Sequence, residues 1–179
     1  MRTVYFHEDD YCQWEILPLA GKEYCLREMD TIDDFAEEHG EGQFFSDIYL
    51  RGESPHTLRE LNLYPGQLAA ALDFLPAYDR VETGYSSYRE ECIGTCARGF
   101  SNELAVFWDV DEEGFVKALW LVIWIKAESA DMARRIYTAL GSLAPLLLAD
   151  WNWSACVDLK DSAAIEQYIR ERLHTEVAT

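Results

Sequence analysis

The segment from Leu104 to Lys126 leaves this chain few folds to choose from. It reads Leu-Ala-Val-Phe-Trp-Asp-Val, then Asp-Glu-Glu-Gly, then Phe-Val-Lys-Ala-Leu-Trp-Leu-Val-Ile-Trp-Ile-Lys. Two apolar runs rich in β-branched and aromatic residues flank a short acidic turn closed by Gly114, which is the pattern of a hairpin. The second run is nearly continuous in Val, Ile, Leu and Trp where a half-exposed strand would alternate. That composition belongs to a strand covered on both faces, in the middle of a sheet. The run is too short, and too interrupted by Lys117 and Lys126, to span a membrane.

Around this hairpin the sequence predicts strands at residues 3–7 and 11–19, separated by the polar turn Glu8-Asp9-Asp10. In the second, Cys12, Trp14 and Ile16 alternate with Gln13 and Glu15, the period of a strand with one wet face, and Pro18 ends it or marks an edge. Glu23 to Met29 reads as a further strand. A short helix starts at Asp30-Thr31, keeps Ile32, Phe35, Ala36 and His39 on one stripe and stops at Gly40; Asp33, Asp34, Glu37 and Glu38 cover its outer face. Phe44 to Arg51 reads as a strand, and Gln67 to Leu75 as a helix ended by Pro76. Residues 79–101 read as strand plus loop. Ser129 opens a helix carrying Met132, Ile136, Leu140 and Leu143 that ends near Pro145. An apolar segment from Leu146 to Leu159 predicts another strand. Asp161 or Ser162 opens a last helix with Ile165, Tyr168, Ile169 and Leu173 inward, and the tail after His174 reads as frayed. The expected fold is α+β: a mostly antiparallel sheet with a central hairpin at about 104–126 and three to four helices packed on it, in one domain over residues 1–179.

Charge narrows the function classes. The chain carries 33 acidic and 15 basic residues, a formal net charge of -18. Such a field repels nucleic acid and anionic membrane surfaces and attracts basic proteins. Residues 1–50 alone hold thirteen acids against Arg2, Lys22 and Arg27. The opening residues run straight into acid without a charged-then-apolar leader, so a cytoplasmic protein with reduced thiols is expected.

The motifs for chemistry are sparse. Cys92 and Cys96 form the only close cysteine pair, and without a second pair they read as two unconnected thiols. The four histidines are scattered, so no metal or cofactor is expected. Asp109, Asp111, Glu112 and Glu113 cluster in the hairpin turn, but a calcium loop starting at Asp109 would need Glu where Trp120 stands; the cluster reads as a solvated turn. A nucleophile elbow, a phosphate loop and a dinucleotide fingerprint are all missing. On the second strand of the hairpin Trp120, Val122 and Trp124 share one face and Leu119, Leu121 and Ile123 the other. Trp151 and Trp153 also share a face. Aromatics left partly uncovered and ringed by acid form a surface suited to gripping a basic protein.

Size, charge and the segments Glu8-Asp9-Asp10, Asp33-Asp34 and Glu37-Glu38 resemble, as a class, the small acidic immunity proteins of contact-dependent and type VI bacterial toxin systems. The resemblance rests on no specific family motif. It implies occlusion of a basic toxin's active site by an acidic surface, with Asp33, Asp34, Glu37, Glu38, Glu41 and Asp47 as the partner-binding residues. Two other classes fit the same composition: a small hydrolase whose carboxylate, Tyr and His residues converge from distant segments, and an adaptor or chaperone for a basic secreted protein.

Overall fold

The structure, a computed structural model, describes residues 1–41, 44–45, 47–85 and 87–176. Strands Thr3–His7 (β1) and Trp14–Pro18 (β2) precede the long helix Lys22–His39 (α1). A minimal ladder follows, Gly40–Glu41 (β3) against Phe44–Phe45 (β4). Helix Pro65–Ala71 (α2) leads into strands Arg80–Gly84 (β5), Glu90–Glu91 (β6), Thr95–Ser101 (β7), Leu104–Val110 (β8) and Val116–Ile123 (β9). Helix Ala130–Leu143 (α3), strands Leu146–Asp150 (β10) and Ala155–Asp158 (β11), and helix Ser162–Glu176 (α4) complete the order.

Six strands form one antiparallel sheet in the order β11-β10-β2-β9-β8-β7, and β1-β5-β6 form a second, with β1 and β5 parallel. The fold is therefore α+β with a mostly antiparallel sheet. The β8–β9 hairpin lies inside the large sheet as its composition required. Its turn is closed by Asp111, whose Oδ1 accepts the backbone N–H groups of Glu113 and Phe115, both at 2.9 Å, and by Gly114 at φ +88°. Arg59 pairs with Asp111 and Glu113, so part of this acid cluster is neutralised.

Both faces of the large sheet are covered. On one, Leu119, Leu121, Ile123, Ile16 and Leu148 pack against α2, α3 and α4 through Leu68, Ile136, Leu140, Ile165 and Ile169. On the other, the cover is composite. Phe107, Trp120 and Val122 meet the small sheet through Val4, Phe6 and Val81, with Phe107 stacked on Trp120 and Phe6 set edge-on to both. Leu17, Leu147, Ala149 and Trp151 meet α1 through Cys25 and Met29. Each large apolar side chain buried here contributes about 1.5–3 kcal/mol relative to leaving it in water.

Several sequence expectations fail locally: the strand expected at 11–19 is confined to Trp14–Pro18, and the helix expected over Gln67 to Leu75 spans Pro65–Ala71. Glu23 to Met29 is not a strand but the first half of α1. Cys25, Met29 and Ile32 recur at helical spacing on the face that packs on the sheet, a period that a seven-residue window is too short to reveal. Phe44 to Arg51 is strand only at Phe44–Phe45; from Asp47 onward the chain has no regular structure. Leu146 to Leu159 divides into β10 and β11. The last helix is capped by Asp161, whose Oδ1 accepts the N–H groups of Ala163 and Ala164; residues 177–179, within the tail that reads as frayed, lie outside the described residues. Among the described residues, no helix is long and apolar enough to cross a membrane.

Close approach of α3 to the strand side supplies a test. A Cβ at Gly141 would overlap the carbonyl oxygen of Leu159. Helix propensity alone favours Gly141→Ala by about 1 kcal/mol, whereas forcing atoms into a filled interior costs about 1–3 kcal/mol. Gly141→Ala is expected to lower stability, measured as a reduced urea midpoint; a raised midpoint would show that α3 packs elsewhere.

Candidate functional site

Helix α1 carries Glu23, Glu28, Asp30, Asp33, Asp34, Glu37 and Glu38 against Lys22 and Arg27. Of the residues the sequence singles out, Asp33, Asp34, Glu37 and Glu38 are all exposed; Asp34, Glu37 and Glu38 lie away from the sheet, while Asp33, one turn beyond the buried Met29, lies on the flank nearest the turn between β10 and β11. They form two rows of like charge, Asp33 with Glu37 and Asp34 with Glu38, at i,i+4 spacing. Each such pair destabilises a helix by about 0.2–0.5 kcal/mol. Glu37 and Glu38 also lie by the C-terminal end, where the helix dipole favours cations. Asp33 has one tether, accepting a hydrogen bond from Ser154 Oγ at 3.1 Å. The outer face of α1 thus carries a local electrostatic cost that the fold itself does not need.

The segment after β4 is fastened along this helix. Tyr49 lies against Phe35, with ring centroids 5.4 Å apart, and its hydroxyl donates to Glu28 Oε1 at 2.9 Å. The same oxygen accepts Gly52 N–H at 3.0 Å, and Tyr24 donates its hydroxyl to the Gly52 carbonyl at 2.5 Å. With Tyr49 turned toward the helix, its neighbours Ile48 and Leu50 point away and are 80% and 84% exposed. Asp47, also exposed, is thereby brought beside α1, and its Oδ1 accepts Ile48 N–H at 2.8 Å. The side chain of Glu41, at the end of β3, lies outside the described residues. The result is a pair of aliphatic side chains held beside an acidic helix.

Between Gly52, held on α1, and Leu58, buried in the helix-side core, the chain passes a cavity of about 340 Å³. It opens where the β2–β9 ladder stops after pairing Trp14 with Leu121 and Glu15 with Trp120. Glu15 lines it. Alternation along β2 directs this side chain to a face that looks wet in sequence, but α1 and the following loop enclose it. Glu15 Oε2 accepts Trp151 Nε1–H at 3.1 Å and Arg51 Nη1–H at 3.4 Å. The Arg51 guanidinium lies 4.1 Å over the Trp151 ring and also donates to the Cys12 carbonyl. Burial pushes the Glu15 carboxyl above its ordinary value, with Arg51 and Trp151 opposing the shift. Among the described residues Ser54, also in the lining, bonds within its own turn, to His56 N–H and the His56 carbonyl, while the His56 ring meets Glu60 at 3.3 Å. No serine–histidine pair poised for nucleophilic attack is formed there.

A second enclosed carboxylate is structural. Asp150 is fully buried, accepts Tyr168 O–H at 2.7 Å and lies 3.7 Å from Arg172 Nε. Among the described residues, no three His, Cys, Asp or Glu side chains converge as metal ligands. Comparison of the chain with protein-family models, with curated proteins and with solved structures returns no match.

Glu15, Arg51, Lys117 and Trp151, which meet at the cavity, are 136 positions apart at their extremes and carry no shared motif. The one legible signal is a charge inside an apolar strand, at Glu15 and again at Lys117. The raised carboxyl sets a pH test. Above its folded pKa Glu15 is ionised in both states; as pH falls toward the ordinary glutamate value of 4.5 the native state takes up the proton first. Wild type should therefore gain stability relative to Glu15→Gln as pH falls from 7 toward 4.5, read as the difference in their denaturation midpoints. A gap that stays constant or moves the other way would place the carboxyl in water.

Proposed function

We propose that this chain is an acidic binding protein whose partner is a basic protein, and specifically an immunity protein that neutralises a bacterial toxin in the cytoplasm by covering its active site. The reading is carried by the outer face of α1. Its like-charged rows weaken the helix in the free protein, and a cationic surface laid across Asp33, Asp34, Glu37 and Glu38 would relieve that repulsion. Ile48 and Leu50 beside them supply what charge alone does not. Apolar anchors contribute most of an interface's affinity, while surrounding charge sets encounter rate and partner choice. The net charge of -18 acts in the same direction, disfavouring polyanions and favouring basic surfaces.

The partner to test is any basic domain encoded by a gene adjacent to that of this chain, co-expressed and purified with it at low salt. Binding should weaken as salt rises, and the chain should protect cells from that domain; failure to protect would remove the immunity assignment. Glu37→Gln with Glu38→Gln should stabilise the free chain by about 0.5 kcal/mol while lowering partner affinity. Leu50→Asp should leave stability unchanged and lower affinity through a faster off-rate. Variants that lose stability and binding together would contradict a surface held for a partner.

A further inference from the structure

We infer that the cavity between α1 and β9 is a binding site for a small organic acid, holding a single carboxylate between Lys117 and Arg51. A register shift between β8 and β9 sets the geometry of the site. Asp109 pairs with Ala118 but the next residue, Val110, pairs with Val116, so Lys117 is the extra residue of a β-bulge. A bulge re-aims side chains. Here Val116 turns into the helix-side core, while Lys117 and Ala118, consecutive in sequence, both line the cavity on the opposite side. A regular strand would have sent one of them to the other face.

Lys117 has no ion pair or hydrogen bond among the described residues, in a chain with more than twice as many acids as bases. Arg51 faces the same space with, among the described residues, two of its N–H donors engaged, on Glu15 and on the Cys12 carbonyl, and its guanidinium lies over the Trp151 ring. The Glu15 carboxylate does not oppose an incoming anion strongly, because Arg51 and Trp151 already hold its Oε2. Glu53, the other acid of the lining, is exposed. One cation without a partner matches one negative charge, which favours a carboxylate over a phosphate dianion. Leu17, Leu58, Ala118 and the Tyr24 ring supply an apolar wall for the rest of the ligand. The volume of about 340 Å³ sits at the small end of ligand sites, which run from about 300 to 1,000 Å³.

The site is separable from the proposed protein interface, since its test needs no partner. The ¹⁵N-labelled full chain is titrated with sodium benzoate, sodium acetate and inorganic phosphate at constant ionic strength. Benzoate is expected to give saturable shifts at the Trp151 indole N–H and the Gly52 and Ala118 amides, with acetate weaker. Lys117→Ala should weaken benzoate about tenfold, the loss of one charge-assisted hydrogen bond, and Lys117→Arg should retain it. Lys117 is exposed, so both variants are expected to fold, and the unshifted remainder of the spectrum verifies this. No saturable shift at these three groups, equal affinity in Lys117→Ala, or tighter binding of phosphate than of benzoate would each overturn the assignment.

Discussion

Everything in this molecule follows from a six-stranded sheet that is apolar on both sides. Trp120 and Val122 face one way and Leu119, Leu121 and Ile123 the other, so neither face of β9 can be left to water. Three helices close one face. The other is closed by two unlike pieces, α1 over β10, β11 and β2, and the three-stranded sheet over β7, β8 and β9. Two covers laid side by side on one twisted sheet leave a seam, and the seam falls between β2 and β9, where the ladder has only two residue pairs.

What fills the seam decides the character of the site. Residues 47–57 run from the outer side of α1 into the gap, with Tyr49 and Gly52 fastened to Glu28 on one side and Leu58 sunk in the opposite core. The same short segment therefore presents Ile48 and Leu50 to solvent and Arg51 to the cavity. Glu15 acts as its inner anchor. A carboxylate enclosed there is costly, and the guanidinium stacked on Trp151 offsets that cost only while the loop stays in place. Surface and cavity share one tether.

The sequence was most readable where a single element carried a long, consistent pattern. The hairpin, the helix over Met132 to Leu143 and the capped helix after Asp161 all have one buried face and clear punctuation. It is least readable where a short window hides the period: Glu23 to Met29 is too brief to separate strand from helix, and only the eighteen-residue length of α1 brings out the stripe of Cys25, Met29 and Ile32. The acidic face of that helix was legible because it needs nothing but local spacing. The cavity was not, because Glu15, Arg51, Lys117 and Trp151 become neighbours only through strand order, and the bulge that aims Lys117 leaves no mark in composition.

The outer face of α1 carries rows of like charge at a local cost, and Tyr49 holds the exposed pair Ile48 and Leu50 beside the same helix. A rival apolar area lies elsewhere, at Tyr85, Tyr88 and Ile93 near the edge of the small sheet. Hydrogen exchange of the chain alone and in complex with the basic partner proposed for it separates the two directly. Slowed exchange is expected over the second half of α1 and residues 47–53, with residues 85–94 unchanged. Protection confined to residues 85–94, with α1 exchanging as in the free chain, would contradict a partner surface on α1.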